Sequence, residues 1–207
     1  MEISVIIPCY KSSSVLKTVL AELKLVLNTV SHEIILVDDG NNYNEKLALY
    51  NLEKQFENVK ALQLDRNYGQ HQATYQGCVI AKGKFIVTMD DDGQHNSDFI
   101  LKMQNYLITS GNDLVYARFI EIQEAIWRKI VRKLLRNSNE SKSSFRIWTQ
   151  AINERLINSG ISDELLDKKL AKLTPSIGYF DVVHRKSLLK KSRYKLKDYF
   201  KYLKQTF

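Results

Sequence analysis

Short apolar runs alternate with amphipathic stretches through the first 117 residues, and this alternation restricts the fold more than any other feature. Ile3-Ser4-Val5-Ile6-Ile7-Pro8, Glu33-Ile34-Ile35-Leu36-Val37, Val59 to Leu64, Phe85 to Met89 and Asp113-Leu114-Val115-Tyr116 each read as a buried strand. Between the first two, Val15, Val19, Leu20, Leu23, Val26 and Leu27 recur at helical spacing behind Ser12-Ser13-Ser14, whose hydroxyls are candidate N-caps. Leu47 to Phe56 and residues 70–82 also read as helices, and Ser97 as the cap of one running to about Ile108. Apolar strands separated by amphipathic helices predict βαβ units, an α/β fold whose mostly parallel sheet is covered on both faces.

Such sheets bind ligands beyond the carboxyl ends of their strands. Three of the predicted strands end in polar, turn-forming residues: Pro8-Cys9-Tyr10, Asp38-Asp39-Gly40 and Asp90-Asp91-Asp92. A parallel sheet brings all three to one edge. Two acidic clusters there repel one another unless a cation or a positively polarised ligand offsets them. Carboxylate oxygens suit a hard divalent ion such as Mg²⁺ or Mn²⁺, whose shell substrate phosphates can complete. The expectation is therefore an active site at that edge.

Several classes are excluded. No GxGxxG or GxxxxGK[ST] is present, so the phosphate cradles of dinucleotide folds and P-loop NTPases are missing. There is no Gly-x-Ser-x-Gly elbow, and His32, His71, His95 and His184 have no metal-ligand spacing. Two cysteines, Cys9 and Cys78, lie in apolar stretches and read as small core residues in a reducing compartment. The N-terminus enters the first strand pattern directly and reads as having no signal peptide, and no apolar run approaches the roughly 18–20 residues of a membrane span. The expected location is cytoplasmic, peripheral on the cytosolic face of a membrane.

Charge divides the chain. Residues 1–117 carry 10 Lys/Arg and 14 Asp/Glu, whereas residues 118–207 carry 21 and 9, within an overall +8. An acidic half thus precedes a basic half suited to phosphates or an anionic membrane. Ile126, Trp127, Ile130, Val131, Leu134 and Leu135 form an apolar stripe among Arg128, Lys129, Arg132, Lys133 and Arg136. Leu196, Phe200, Leu203 and Phe207 form a second among lysines and tyrosines. Each reads either as a basic amphipathic helix lying in a membrane interface or as a helix packed on the sheet, the membrane being preferred for the second. A basic nucleic-acid-binding protein leaves the acidic clusters without a role, and no nucleic acid is expected as partner.

Taken in order, these residues resemble glycosyltransferase family 2, of the GT-A (nucleotide-diphospho-sugar transferase) fold. The likeness is strongest to its dolichol-phosphate mannose synthase and polyprenyl-phosphate glycosyltransferase branch. It is carried by Ser4 to Tyr10, Leu36-Val37-Asp38-Asp39-Gly40, Arg66-Asn67-Tyr68-Gly69-Gln70, Gly77, Ala81-Lys82-Gly83-Lys84 and Met89 to His95. His184 to Tyr194 resembles the branch's His-x-x-Arg-x-x-Gly-x-Ser-Lys-Tyr segment, with Ser187 and Lys190 replacing its arginine and glycine. Lys11-Ser12 stands where the family usually has Asn-Glu.

The resemblance implies a nucleotide-sugar-binding core over residues 1–118 and an acceptor- or membrane-facing part of the same domain over 119–207. It implies that Asp90 and Asp92 hold Mg²⁺ or Mn²⁺ on the donor diphosphate. Asp38 and Asp39 would bind the nucleoside, and Pro8 and Tyr10 would line the base pocket. Gln94 would orient the sugar or the metal shell, and Arg118 and Arg132 would meet phosphate. Relatives acting on hydroxyls carry a Glu-Asp base after the fifth strand; residues 118–146 hold Glu121, Glu124 and Glu140 but no such pair. A phosphate acceptor is already ionised and needs no base. The expectation is an inverting transfer from a UDP- or GDP-sugar to a polyprenyl phosphate. The alternative is transfer to a hydroxyl of a lipid-linked glycan in surface-polysaccharide synthesis, with Glu121 or Glu124 as base.

Overall fold

The computed structural model describes residues 1–120, 143–160, 165–183, 185 and 188. Arg132, both basic stripes and most of the His184–Tyr194 segment lie outside the described residues. Seven strands form one sheet in the order β3-β2-β1-β4-β6-β5-β7. They are β1 Ile3–Cys9, β2 His32–Asp38, β3 Val59–Gln63, β4 Phe85–Thr88, β5 Leu114–Ile120, β6 Arg146–Thr149 and β7 Ile177–Val183. β1 pairs in parallel with β2 and β4, β2 with β3, and β5 with β7; β6 alone runs antiparallel, between β4 and β5. The mostly parallel sheet predicted from the alternation is thus present.

Helices cover both faces. α1 Ser13–Val26, α2 Tyr43–Gln55 and α4 Phe99–Ser110 bury Leu16, Leu20, Leu49, Ile100 and Met103 against Ile3, Val5, Ile7, Leu36 and Val87. α3 Gln70–Ile80, α5 Gln150–Asn158 and α6 Leu166–Leu173 bury Ala73, Cys78, Ile152, Leu166 and Leu170 against Ile6, Ile35, Val37, Ile86 and Trp148. β1 and β2 are buried along their whole length, which is why their sequences run apolar without alternation. Burial pushes the Cys78 thiol up to about 12, and both cysteines are free. They are core residues, as read.

The cap expectations are corrected. Ser12 is the N-cap position of α1, but its hydroxyl is buried and makes no cap bond. Glu45 Oε2 of α2 instead accepts the Ser13 N–H at 3.0 Å, so a neighbouring helix supplies what the serine does not. α4 begins two residues beyond Ser97, whose hydroxyl also makes no cap bond. α2 begins at Tyr43, four residues before the predicted start, because Asn42 caps it through the Glu45 N–H at 3.1 Å.

The amino ends of β1, β2 and β4 are tied by Glu33, which is 2% exposed. It accepts the Ser4 hydroxyl at 2.7 Å and the Lys82 N–H at 2.7 Å, and pairs with Lys60 at 3.2 Å. Burial alone would raise this carboxyl, but the hydrogen bonds from Ser4, Lys82 and Lys60, with the Lys60 charge, bring it below its ordinary value. Glu33→Ala strands the Ser4 hydroxyl and the Lys82 N–H and should cost about 2–4 kcal/mol in denaturant unfolding. Because the folded value is depressed, the carboxylate's contribution stands in full above 4.5 and is lost as pH falls through the lower folded value. Glu33→Gln should flatten the wild-type stability profile in that acid window.

Candidate active site

The polar ends of β2, β1 and β4 meet at one edge, with β1 in the middle. The two acidic clusters therefore flank the loop after β1 rather than touching side by side. That loop holds them through backbone donors. Tyr10 N–H donates to Asp91 Oδ2 at 3.0 Å, and Lys11 N–H donates to Asn41 Oδ1 at 2.8 Å. Asn41 in turn donates to Asp38 Oδ1 from its backbone N–H and from Nδ2, both at 2.8 Å, and from Nδ2 to the Cys9 carbonyl at 2.9 Å. Lys11 adopts a left-handed φ of 56°, and its ammonium lies 4.8 Å from the Tyr10 ring centroid. Asp91, left without a role by the sequence motif, joins the loop after β1 to the turn after β4.

Asp38 is fully buried, and its Oδ2 has no hydrogen-bond partner among the described residues. Asp39 is 3% exposed and accepts the backbone N–H groups of Tyr68 at 2.7 Å and Gly69 at 3.0 Å. Burial raises its carboxyl above the ordinary value, against those two donors, and the Asp38 charge adds to the rise. Gly40 carries a φ of +67°, and a Cβ there would come within 2.2 Å of the Arg66 carbonyl carbon and the Asn67 nitrogen. Only glycine lets the chain turn this close to the Arg66–Gly69 loop.

Asp90 is oriented from three sides. Gln70 Nε2 donates to its Oδ1 at 2.5 Å, and Ser144 Oγ donates to its Oδ2 at 2.9 Å. The Asp90 N–H donates to His95 Nδ1 at 3.0 Å, which leaves the ring proton on Nε2, 3.6 Å from Asp90 Oδ2. The buried His95 ring is stacked between Phe119 and Phe145, with centroids 5.5 and 5.0 Å away. Asp92 Oδ1 accepts the Gln94 N–H at 2.9 Å, so Gln94 and Asp92 share one tight turn through Gly93. The segment after β7 crosses that turn: Arg185 N–H donates to the Gln94 carbonyl at 3.2 Å, and Leu188 N–H to the Asp92 carbonyl at 2.9 Å. A Cβ on Gly93 would lie 2.5 Å from Leu188 Cδ1. Arg185, two residues before Ser187, directs its guanidinium to Glu22 at 2.8 Å and Asn96 at 2.7 Å.

A pocket of about 220 Å³ opens beside Asp90, lined by Pro8, Gln70, His71, Ser144, Arg146 and Asp167 among others. Arg146, 2% exposed, forms an ion pair with Asp167 of α6. Desolvation, then the Arg146 charge, lower the His71 imidazole from its ordinary value and keep it neutral. Pairing of Tyr116 with Arg146 across β5 and β6 sets Arg118, two residues on, on the same sheet face; its Nε donates to Asp181 Oδ1 at 2.5 Å. His71, Ser144, Arg146 and Asp167 were not among the residues expected from sequence. Phe145-Arg146-Ile147-Trp148 is a short apolar run in the sequence broken by one cation, and that break was the available signal.

The family model for glycosyl transferase family 2 matches residues 4–188. The chain belongs to glycosyltransferase family 2. It is 33% identical over 139 residues to an undecaprenyl-phosphate 4-deoxy-4-formamido-L-arabinose transferase from Photorhabdus laumondii, a match covering 65% of this chain and 42% of that protein. The chain spans about half the length, or less, of the curated relatives it matches. The fold is that of the GT-A enzymes. A mannosyltransferase from Pyrobaculum calidifontis, in complex with GDP-Man and Mn²⁺, superposes with a TM-score of 0.68 at 15% identity, over 92% of this chain and 58% of that one. Glucosyl-3-phosphoglycerate synthase from Mycobacterium tuberculosis, with Mn²⁺, UDP and phosphoglyceric acid, superposes with a TM-score of 0.67 at 16% identity, over 97% and 73%.

For this family 2 chain the fit to a divalent cation is chemical. Asp90 and Asp92 present oxygen donors of the kind Mg²⁺ and Mn²⁺ take, on a turn that also carries Asp91. Among the described residues no group of three His, Cys, Asp or Glu side chains would hold a metal ion by itself. The Tyr10–Asp91 bond makes a direct prediction. Asp91→Ala should lose about 0.5–1.5 kcal/mol in chemical denaturation, because the part-buried bond from the Tyr10 N–H is removed, whereas Asp91→Asn should retain most of that stability.

Proposed function

We propose that this chain catalyses a metal-dependent, inverting transfer of a sugar from a UDP- or GDP-sugar to a polyprenyl-phosphate-type lipid at the cytosolic face of a membrane. The observation that carries the reading is the set of five aspartates, Asp38, Asp39, Asp90, Asp91 and Asp92, gathered at one sheet edge in a family 2 fold. The P. calidifontis neighbour holds GDP-Man and Mn²⁺, and the P. laumondii relative is named for an undecaprenyl-phosphate acceptor. Both support the proposal.

In this reading Asp90 and Asp92 hold Mg²⁺ or Mn²⁺. Once bound, the cation offsets the charge that the departing nucleoside diphosphate gains. Gln70 and Ser144 keep the Asp90 carboxylate in one orientation and His95 accepts the Asp90 backbone N–H, so little reorganisation is needed when charge develops. Pro8 and Tyr10 wall the base pocket, and Asp38 and Asp39 position the nucleoside. Gln94 is held against Asp92 by its own N–H and orients the sugar or the metal shell. Arg118, with Arg132, meets phosphate; to do so Arg118 turns from Asp181, a pair that is nearly half exposed and therefore cheap to open. A lipid phosphate attacks as an anion, without a general base. Among the described residues no helix is long and apolar enough to cross a membrane, and the basic half supplies attraction to anionic lipid.

The test is incubation of the protein with Mn²⁺, polyprenyl phosphate and labelled UDP- and GDP-sugars. A butanol-extractable labelled lipid is expected with at least one donor, and no such product with any donor contradicts the lipid-phosphate acceptor. Asp92→Ala should lower turnover by about 10²-fold or more, the scale of a lost transition-state electrostatic contact. Retained turnover contradicts its assigned role.

A further inference from the structure

The turn that carries Asp92 is held from outside its own strand. Its two flanking carbonyls, on Asp92 and Gln94, accept the Leu188 N–H at 2.9 Å and the Arg185 N–H at 3.2 Å. Leu188 also covers Gly93, whose φ of +75° lets the chain reverse there. Leu188 is 45% exposed, so water competes for these backbone bonds and they are weak by themselves. The Arg185 side chain supplies the stronger attachment. One arm of its guanidinium, Nη1, donates to Glu22 Oε2 on α1 at 2.8 Å, and the other, Nη2, donates to Asn96 Oδ1 at 2.7 Å. These partners are 163 and 89 residues away, so one fork ties the chain after β7 to α1 and to the loop before α4. Asn96 is itself fixed, because its Oδ1 also accepts the Asp98 N–H at 3.0 Å. The guanidinium and the Glu22 carboxylate are each more than a third exposed, which screens their charges; the two-armed geometry gives the contact its strength. Asp98 Oδ2 lies 3.8 Å from the same guanidinium, so an anion approaching Arg185 meets two carboxylates already in place. Arg185 is therefore committed to protein partners, and it acts through the turn that its backbone touches.

We propose that Arg185 is a positioning residue: its fork to Glu22 and Asn96 clasps the chain after β7 over the Asp92–Gln94 turn and fixes Asp92 relative to Asp90 before a cation arrives. The inference rests on the reading above, in which those two aspartates hold the cation. Asp90 is oriented by Gln70 and Ser144, whereas Asp92 sits on a turn bridged by Gly93 and depends on the clasp for its place. With the fork released, the turn samples other arrangements. The apparent affinity for the cation then falls by the fraction of time the competent arrangement is kept.

The experiment compares wild type with Arg185→Met, which keeps the aliphatic stem, Arg185→Lys, Glu22→Ala and the Glu22→Ala/Arg185→Met double variant. Calorimetric titration of UDP and of GDP at stepped Mn²⁺ concentrations gives the Mn²⁺ needed for half-maximal nucleotide binding. Amide hydrogen exchange in the metal-free protein follows the Gln94 and Leu188 N–H groups, with the amides of β1 as the internal standard. Arg185→Met should raise the Mn²⁺ requirement about five-fold or more, leave nucleotide affinity at saturating Mn²⁺ within about two-fold, and speed exchange at Gln94 and Leu188 but not in β1. Arg185→Lys, which keeps a cation opposite Glu22 but not the fork, should fall between wild type and Arg185→Met. Glu22→Ala should act in the same direction, and the double variant should go less than about two-fold beyond Arg185→Met, because both remove one contact. Glu22→Ala also carries the test if Arg185→Met does not fold. An unchanged Mn²⁺ requirement overturns the clasp while the cation reading stands. Nucleotide binding weakened equally at every Mn²⁺ concentration overturns it too, as the mark of a direct phosphate contact, and so does exchange quickened equally in β1. A wild type that binds neither nucleotide at any Mn²⁺ concentration overturns the cation reading itself.

Discussion

Repulsion among aspartates at the ends of two parallel strands, β2 and β4, is the constraint on which the site depends. Two unit charges 4 Å apart cost about 4 kcal/mol at the effective dielectric of a protein surface, and this edge gathers five carboxylates. The fold meets the cost with backbone donors. The N–H groups of Tyr10, Asn41, Tyr68, Gly69 and Gln94 each point at one of these side chains. Such fixed dipoles hold the carboxylates in place without neutralising them, so the edge keeps its affinity for a cation. Lys11 in a left-handed conformation and Gly40 against the Arg66–Gly69 loop are what the backbone accepts in order to aim those donors.

The parallel core and its polar edge were legible because β1, β2 and β4 hold the unbroken apolar runs Val5-Ile6-Ile7, Ile34-Ile35-Leu36-Val37 and Phe85-Ile86-Val87 and stop at a turn signal. The caps were not legible. Ser12 looks like an N-cap, yet Glu45, distant in sequence, takes the helix donor, and periodicity cannot see a partner on another helix. The strands β6 and β7 were missed as well. β6 has four residues with a buried charge at its start, and β7 mixes glycine and aspartate with its apolar residues, so neither carries a clean period.

The site was legible in proportion to how much of it lies on motifs. Asp38, Asp39, Asp90 and Asp92 stand at strand ends, where position alone suggests a role. Asp91 gained its function from tertiary structure, as the acceptor that joins β4 to the loop after β1. His71 lies one residue from a recognisable motif glutamine, but its place in the pocket depends on α3 packing beside α6 and on the Arg146–Asp167 pair. The clasp of Arg185 and Leu188 over the Asp92–Gln94 turn was also invisible in sequence, because backbone pairing leaves no residue signature.

The central claim is that the aspartate edge binds a nucleotide sugar only together with a divalent cation. Coupling of that kind is reciprocal, so each ligand must tighten the other by the same factor. Titrating Mn²⁺ into the protein with and without saturating nucleotide sugar, and nucleotide sugar with and without Mn²⁺, measures both halves of the cycle. The account predicts equal tightening of about ten-fold or more in the two directions, abolished together by Asp90→Asn. Nucleotide-sugar affinity that is the same in Mn²⁺ and in chelator would contradict it.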